Sequence, residues 1–315
     1  MANQVRQDRV QTFTQESRSE IPVPSEKQSG DWTPYLLSLP SLLVLIGILG
    51  PFLLGIYTSF TKYSLFNPDY SFAGLDNYIR LFTSARFWNS TLITLAYAFG
   101  VVIIEAVLGL ILALLMTTDV FMAKVLRLFL LFPLMIPPIV GVIMWLLMIN
   151  PDYGVLTYFL HLVGIEHFLW LNSQEWALPT VMLIDVWMFT PFFALLLLAG
   201  LHSRPKSQLE AAQVDGASIW FTFREITLPL IMPFLLIAVV FRLIDSINQF
   251  DLVYGTTQGG PGDATLNYGI NAYITGFPQM EMARAMAIMF INWIVIFIFS
   301  NYLIKYWSKA RTRLS

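Results

Sequence analysis

The chain has 315 residues, of which 57% are hydrophobic and only 12% charged, with a formal net charge of −2. A soluble domain is about one quarter charged, so this composition points to a bilayer, and the charge balance offers no basic surface for nucleic acid. Cysteine is absent, which excludes disulfides, thiol catalysis and cysteine-based metal sites, and the three histidines, His161, His167 and His202, are too scattered for a zinc motif.

Residues 1–33 are polar, of mixed charge, and read as a flexible tail. No apolar stretch follows a basic start there, so no signal peptide is expected. Six apolar spans follow, at roughly 35–60, 91–116, 125–149, 176–201, 229–247 and 282–305, each close to the ~20 residues a helix needs to cross a bilayer. An even number places both termini on one side. The first intervening loop, 61–90, holds the compact aromatic segment Phe72-Ala73-Gly74-Leu75-Asp76-Asn77-Tyr78. The loop at 150–175 contains an amphipathic stretch, Val155 to Val163, expected as a short helix at the interface, and Trp145, Trp170 and Trp176 flank it as interfacial anchors. The loop at 248–281 holds Gly259-Gly260-Pro261-Gly262.

Lys and Arg set the orientation. Thirteen of the 18 fall on the side of the termini: Arg6, Arg9, Arg18, Lys27, Lys124, Arg127, Arg204, Lys206, Arg224, Lys305, Lys309, Arg311 and Arg313. Three, Lys62, Arg80 and Arg86, fall on the other side, and Arg242 and Arg284 lie within spans. Both termini and the segment between spans four and five are therefore expected in the cytoplasm. Prolines interrupt the spans at Pro133, Pro137, Pro138, Pro179, Pro191 and Pro233. Each interior proline removes a backbone hydrogen bond and favours a bend, and in a membrane the freed carbonyls need neighbouring helices or a water-lined cavity. Spans three to five are thus expected to bend around a path.

The segment between spans four and five is a polar island. Ser207-Gln208-Leu209-Glu210 has the spacing of a capping box, and Asp215-Gly216 supplies a C-terminal cap. Ala217 to Ile226 then predicts a second short helix with Ile219, Trp220 and Phe223 on one side, ended by Leu228-Pro229. Ala211 and Ala212 leave a flat face that another protein can approach. The spacing Glu210-Ala211-Ala212, Gly216, Ile226, Leu228-Pro229 resembles the coupling-loop signature of permease subunits of binding-protein-dependent ABC importers. Phe241 to Asp245, Phe250 to Tyr254, Gly259 to Gly262, Thr265, Asn77-Tyr78 and Phe87 to Ser90 extend the likeness over about 35–305 and resemble its carbohydrate branch, the maltose and glycerol-phosphate systems.

The resemblance implies an all-α integral membrane protein of the type I ABC importer fold: six transmembrane helices with a cytoplasmic helix-turn-helix coupling loop at 203–229. The organisation is a tail (1–33), a first span with its outer loop (34–90), a core domain (91–305) and a C-terminal tail (306–315). It implies a bacterial inner-membrane protein with both termini cytoplasmic, partnered by a second, related permease, two ATP-binding subunits and an extracytoplasmic solute-binding protein. Glu210, Ala211, Ala212, Asp215 and Gly216 would meet the ATPase. The chain has no Gly-x-x-x-x-Gly-Lys-Ser/Thr motif to cradle ATP phosphates, no catalytic constellation and no metal-ligand spacing, so no enzyme activity, cofactor or metal is expected of it. A non-sugar solute such as a polyamine or an anion stays open. So does an ion-coupled secondary transporter using Glu105 or Asp185, although such folds are usually built of repeats and none is visible.

Ionisable groups within spans call for pairing or function. Arg242 and Asp245, spaced i, i+3, are expected to pair locally. Arg242, Asp245, Asn248, Gln249, Phe250, Tyr254 and Arg284 are the candidates for the pathway or its gate, because sugars take hydrogen bonds from polar groups and contact with rings. Arg284 either reads an anionic group on the solute, snorkels to the headgroups or pairs with Glu281. The orientation is tested by labelling intact cells. In this cysteine-free chain, Ser207→Cys should resist a membrane-impermeant thiol reagent and Thr257→Cys should react; the opposite pattern reverses the topology.

Overall fold

The computed structural model describes residues 33–117, 121–203 and 206–312, and the polar tail, Arg204 and Pro205 lie outside them. The chain divides into two compact units, Met1–Phe52 and Leu53–Ser315, and the polar island, the charged residues within spans and the glycine-rich loop all belong to the second. Five described helices are long and apolar enough to cross a membrane. They are α1 (Thr33–Ser59), α3 (Ala85–Leu115), α7 (Ala177–His202), α9 (Ile219–Ile247) and the helix that begins at Met282, which runs as α12 to Thr312. Shorter helices are α2 (Asp76–Phe82), α6 (Val155–Leu162), α8 (Lys206–Val214), α10 (Asp251–Thr256) and α11 (Tyr268–Gly276). Among the described residues no strand forms; Thr61 and Phe72 make one isolated antiparallel bridge.

The third span is not one helix. It divides into α4 (Phe121–Met135) and α5 (Pro138–Met148), which diverge by 104°. Two consecutive prolines explain the break. Each disfavours the α conformation in the residue before it, and Pro137 stands extended, at φ −56 and ψ 137, as the N-cap of α5. The count of six spans holds only with this broken pair taken as one. The other prolines are absorbed: Pro191 and Pro233 lie inside continuous helices, and Pro179 falls in the first turn of α7, where its missing N–H has no partner to lose.

A second departure concerns Leu228-Pro229, expected to break the chain. Ile219–Ile247 is instead one continuous helix. Its residues Thr222–Thr227 take the wider π register, and the Leu228 N–H reaches back to the Phe223 carbonyl. In an α register the ring of Pro229 would press on the carbonyl four residues earlier, and the wider turn relieves that contact.

The core lies where α3, α7 and α9 meet. Tyr97, Val101, Ile184, Phe193, Leu197 and Ile231 are fully enclosed there. Gly109 lets α3 and α7 close up: a Cβ at that position would lie 2.4 Å from Phe193 Cβ and 3.0 Å from the Ala194 backbone nitrogen. Lipid offers no hydrophobic drive between helices, so such small-residue contacts carry the association. Gly109→Ala should therefore destabilise the purified protein by about 1–3 kcal/mol through overpacking; an unchanged melting profile would show that the two helices can part without cost.

Candidate functional site: a surface segment and a buried charge cluster

The polar island folds as a capped helix followed by a turn. Helix α8 is described from Lys206, so Ser207 lies in its first turn rather than before it, and the two residues ahead of the helix lie outside the described residues. The C-terminal cap is complete. Gly216 has φ +68, its N–H reaches the Gln213 carbonyl at 3.1 Å and the Ala217 N–H reaches Ala212 at 2.9 Å, the paired bonds of a Schellman motif. Chain entry into α9 is capped by Ser218, whose Oγ accepts from the Phe221 N–H at 3.2 Å, a cap not anticipated from the sequence. Glu210, Ala211 and Asp215 are exposed and Ala212 is buried, so only one of the two alanines faces outward. A groove of about 540 Å³ runs between Gln208, Ala211 and Asp215 on one wall and Phe221, Glu225 and Pro229 on the other. The tip carries Val214, Ile219 and Trp220, 87%, 91% and 67% exposed. Large apolar side chains at such exposure mark an interaction surface. Trp220 pairs with Phe223, ring centroids 5.7 Å apart, while Ile219 projects at the start of the helix.

Deep in the second unit, Arg242 holds more than the local partner expected for it. Its Nε and Nη2 donate to the two oxygens of Glu105 at 2.8 Å each. Nη2 also donates to Asp185 Oδ1 at 2.9 Å, and Nη1 donates to Asp245. The Tyr97 hydroxyl donates to the other Asp185 oxygen at 2.6 Å, and the guanidinium lies over Phe189, 4.1 Å from the ring centroid. Glu105 and Asp185 are wholly buried and Arg242 is 3% exposed, whereas the Asp245 side chain is 58% exposed. The planar fork of arginine satisfies this bidentate geometry, which a lysine cannot. One guanidinium thus joins α3, α7 and α9. The expected Arg242–Asp245 pair exists but is only the exposed limb of the cluster.

One turn further on, α9 ends and the backbone bends through Asn248-Gln249-Phe250. Asn292 on α12 donates to Asn248 Oδ1 at 3.0 Å, and Asn267 donates to the Gln249 carbonyl. Phe250 stacks on Tyr254 with centroids 5.1 Å apart. Both rings meet Tyr273 edge-on, at 5.8 and 5.2 Å, and the Tyr254 and Tyr273 hydroxyls are 3.3 Å apart. The bend thus has exposed Asp245 and Asn248 close to a set of rings, and Tyr97, Phe189, Tyr273 and Asn292 are neighbours that the sequence did not single out. Arg284 is elsewhere. It pairs with Glu281 and lines a cavity with Lys62, Arg80 and Asn77.

Residues 105–314 match the model of the family described as binding-protein-dependent transport system inner membrane component. The chain belongs to that family. It is 39% identical over 240 residues to the trehalose/maltose transport system permease protein MalF of Thermococcus litoralis, a match covering 76% of this chain and 81% of the relative. It is 34% identical over 282 residues to the sulfoquinovosyl glycerol transport system permease protein SmoG of Agrobacterium fabrum, covering 84% and 90%. Its fold matches the crystal structure of a bacterial ABC transporter involved in import of the acidic polysaccharide alginate, with TM-score 0.78 at 22% identity over 89% of this chain and 96% of the other. The protein is thus a permease subunit, and ATP hydrolysis belongs to a separate subunit.

In such a permease, removing only the cation of a buried cluster leaves uncompensated carboxylates, at a cost of about 3–5 kcal/mol. Arg242→Met should sharply lower the melting temperature of the purified chain. Adding Glu105→Gln and Asp185→Asn to it should restore much of the loss. Equal melting of the single and triple variants would mean that the charges are not coupled.

Proposed function

We propose that this permease forms half of the translocation path for a sugar or sugar derivative, driven by ATP hydrolysis in two partner subunits and supplied by an extracytoplasmic solute-binding protein. The second half of the path is a different, related permease. The observation that carries the reading is the capped segment 206–219, with exposed Glu210 beside a groove and an apolar tip. Glu210, Ala211, Asp215 and Gly216 dock into the ATPase, with Ala212 packing behind them. Relatives named for trehalose/maltose and for sulfoquinovosyl glycerol support the sugar class. Segment 206–219 and both termini are on the cytoplasmic side, in line with the Lys/Arg distribution.

The path runs along the face of α9 that carries Asp245 and Asn248. A carboxylate more than half exposed in an apolar bundle needs water or a partner around it, and a water-lined cavity between two permeases provides both. Arg242 braces that face from behind. Gln249, Phe250 and Tyr254 form its upper end, with hydrogen-bonding groups beside ring faces. ATP binding closes the ATPase pair, segment 206–219 moves with it, and differential contacts in two states open the path alternately to each side.

Gly216 supplies the test. Its left-handed backbone resists a β-branched residue, yet nothing lies within 4 Å of an added Cβ, so the strain stays local. Gly216→Val should leave membrane levels normal and cut solute-stimulated ATP hydrolysis by the assembled complex at least tenfold, while Gly216→Asn retains most of it. Normal stimulation in the valine variant would overturn the docking assignment. Gln249→Ala and Phe250→Ala should lower solute uptake more than complex assembly; uptake at normal rates in both would remove this bend from the path.

A further inference from the structure

Only three Lys/Arg residues fall, by sequence, on the side opposite segment 206–219: Lys62, Arg80 and Arg86. The fold brings all three to one corner, together with Arg284. There the loop after α1 is stapled to the start of α12, since the Ala283 N–H donates to the Tyr63 carbonyl at 3.0 Å and Ser64 Oγ donates to Met280 O at 2.8 Å. Two cavities result, and both are lined by Arg80 and Arg284. The larger, about 350 Å³, adds Lys62 and the carboxylates of Asp76 and Glu281. The smaller, about 170 Å³, adds Arg86, Asn271 and Thr275 and has no carboxylate in its lining.

Each arginine is held from its rim. Arg80 pairs with Asp76 at 2.9 Å, Arg86 pairs bidentately with Asp263 at 2.9 and 3.0 Å, and Arg284 pairs with Glu281. A guanidinium has five N–H donors, so the bidentate Arg86 pair leaves three unused by it, and the pairing fixes the plane from which they project. Asn271 and Thr275 are each 4% exposed and line the smaller cavity, where an amide and a hydroxyl can donate to a bound ion. Three arginines, one amide and one hydroxyl around a carboxylate-free cavity are the complement of an oxyanion, since arginine is suited to bidentate recognition of phosphate. The volume accommodates one such group with a few waters, each of which takes about 30 Å³. Beside the corner, Ile79, Phe82 and Trp88 are 60%, 49% and 54% exposed, a setting suited to acyl chains next to a headgroup.

We propose that the pocket of Arg80, Arg86, Asn271, Thr275 and Arg284 binds a phosphate-class oxyanion, taken from a lipid headgroup or from free phosphate. The site is separate from the path along α9 and does not depend on which solute is carried.

The test uses the full chain, purified with its accompanying subunits and stripped of lipid. One arm measures radiolabelled inorganic phosphate by equilibrium dialysis. The other counts retained phosphatidylglycerol by native mass spectrometry, after reconstitution in nanodiscs of phosphatidylcholine with one fifth phosphatidylglycerol. Asn271→Asp keeps the side-chain shape and places a carboxylate in the pocket, Thr275→Val removes only the hydroxyl, and Arg284→Gln removes a cation. A site saturating near one phosphate per chain and weakened at least tenfold by Asn271→Asp supports the proposal with free phosphate as the source. Retention of about one phosphatidylglycerol, lost in Asn271→Asp and Arg284→Gln, supports it with lipid as the source. Binding of neither probe, or binding untouched by Asn271→Asp in a variant that melts like the parent, overturns it.

Discussion

Three of the membrane helices, α3, α7 and α9, are joined through one buried guanidinium. Arg242 is taken almost wholly out of solvent, and that is tolerable only because both oxygens of Glu105 and both of Asp185 find donors, four bonds in all, three from Arg242 and one from Tyr97. A buried ion pair of this kind adds little net stability over a well-packed apolar substitute. Its effect is geometric. The fork of the guanidinium accepts only one relative placement of α3, α7 and α9, and any slide between them would strand a charge. Gly109 reinforces this from further along α3, where backbone contact with Phe193 and Ala194 leaves no slack. Three carboxyl groups face one cation: Glu105 and Asp185 are sealed in the bundle, and Asp245 is the exposed limb. The same interaction that locks the bundle therefore also turns a negative group outward.

The continuity of α9 gives that lock a mechanical partner. At about 1.5 Å per residue its 29 residues span roughly 43 Å, from the Ser218 cap beside the exposed tip to the polar bend at Asn248. A flexible joint at Leu228-Pro229 would have let displacement at the tip dissipate locally. The π turn at Thr222–Thr227 instead accommodates Pro229 without breaking the helix. Force applied at Ile219 or Trp220 reaches Arg242 along a continuous hydrogen-bonded ladder and must move α3 and α7 with it, because the cluster does not yield.

Much of this was legible in the sequence, and the divide between what was and was not is physical. The long apolar spans could be located because lipid demands unbroken helical hydrogen bonding over a fixed thickness. Gly216 was legible because one residue type suits the left-handed cap. Local rules failed where two of them competed. Pro137-Pro138 and Leu228-Pro229 both predict disruption, yet the first gives a 104° break and the second a π turn. In the first, Pro137 stands extended between two helices; in the second, a single ring is absorbed by one wide turn. The full charge cluster was beyond any local rule. Arg242 and Asp245 are three residues apart, but Glu105 and Asp185 lie 137 and 57 residues away, and only the fold brings them together. Likewise, the sequence offered Arg284 a partner in Glu281, but its cationic neighbours Lys62, Arg80 and Arg86 became visible only once the loop after α1 was folded onto α12.

The two ends of the bundle are built on different physical terms. The end carrying 206–219 presents apolar side chains and few restraints: the tip of the segment is held by its caps, and its side chains are nearly fully exposed. The opposite end is cross-linked. Asn77 donates to the carbonyls of both Ser59 and Thr61 at 2.9 Å, Tyr78 and Ser59 hydroxyls meet at 2.6 Å, and Arg86 and Asn89 hold Asp263. These bonds tie the ends of α1, α2 and α3 and the loop at Asp263, segments that would otherwise be the most mobile parts of the chain. A structure free at one end and tied at the other, with a rigid charged centre between them, cannot respond to a push at the free end by unravelling at the tied one. Between the two ends, the α9 surface nearest the charged centre is the one carrying Asp245 and Asn248.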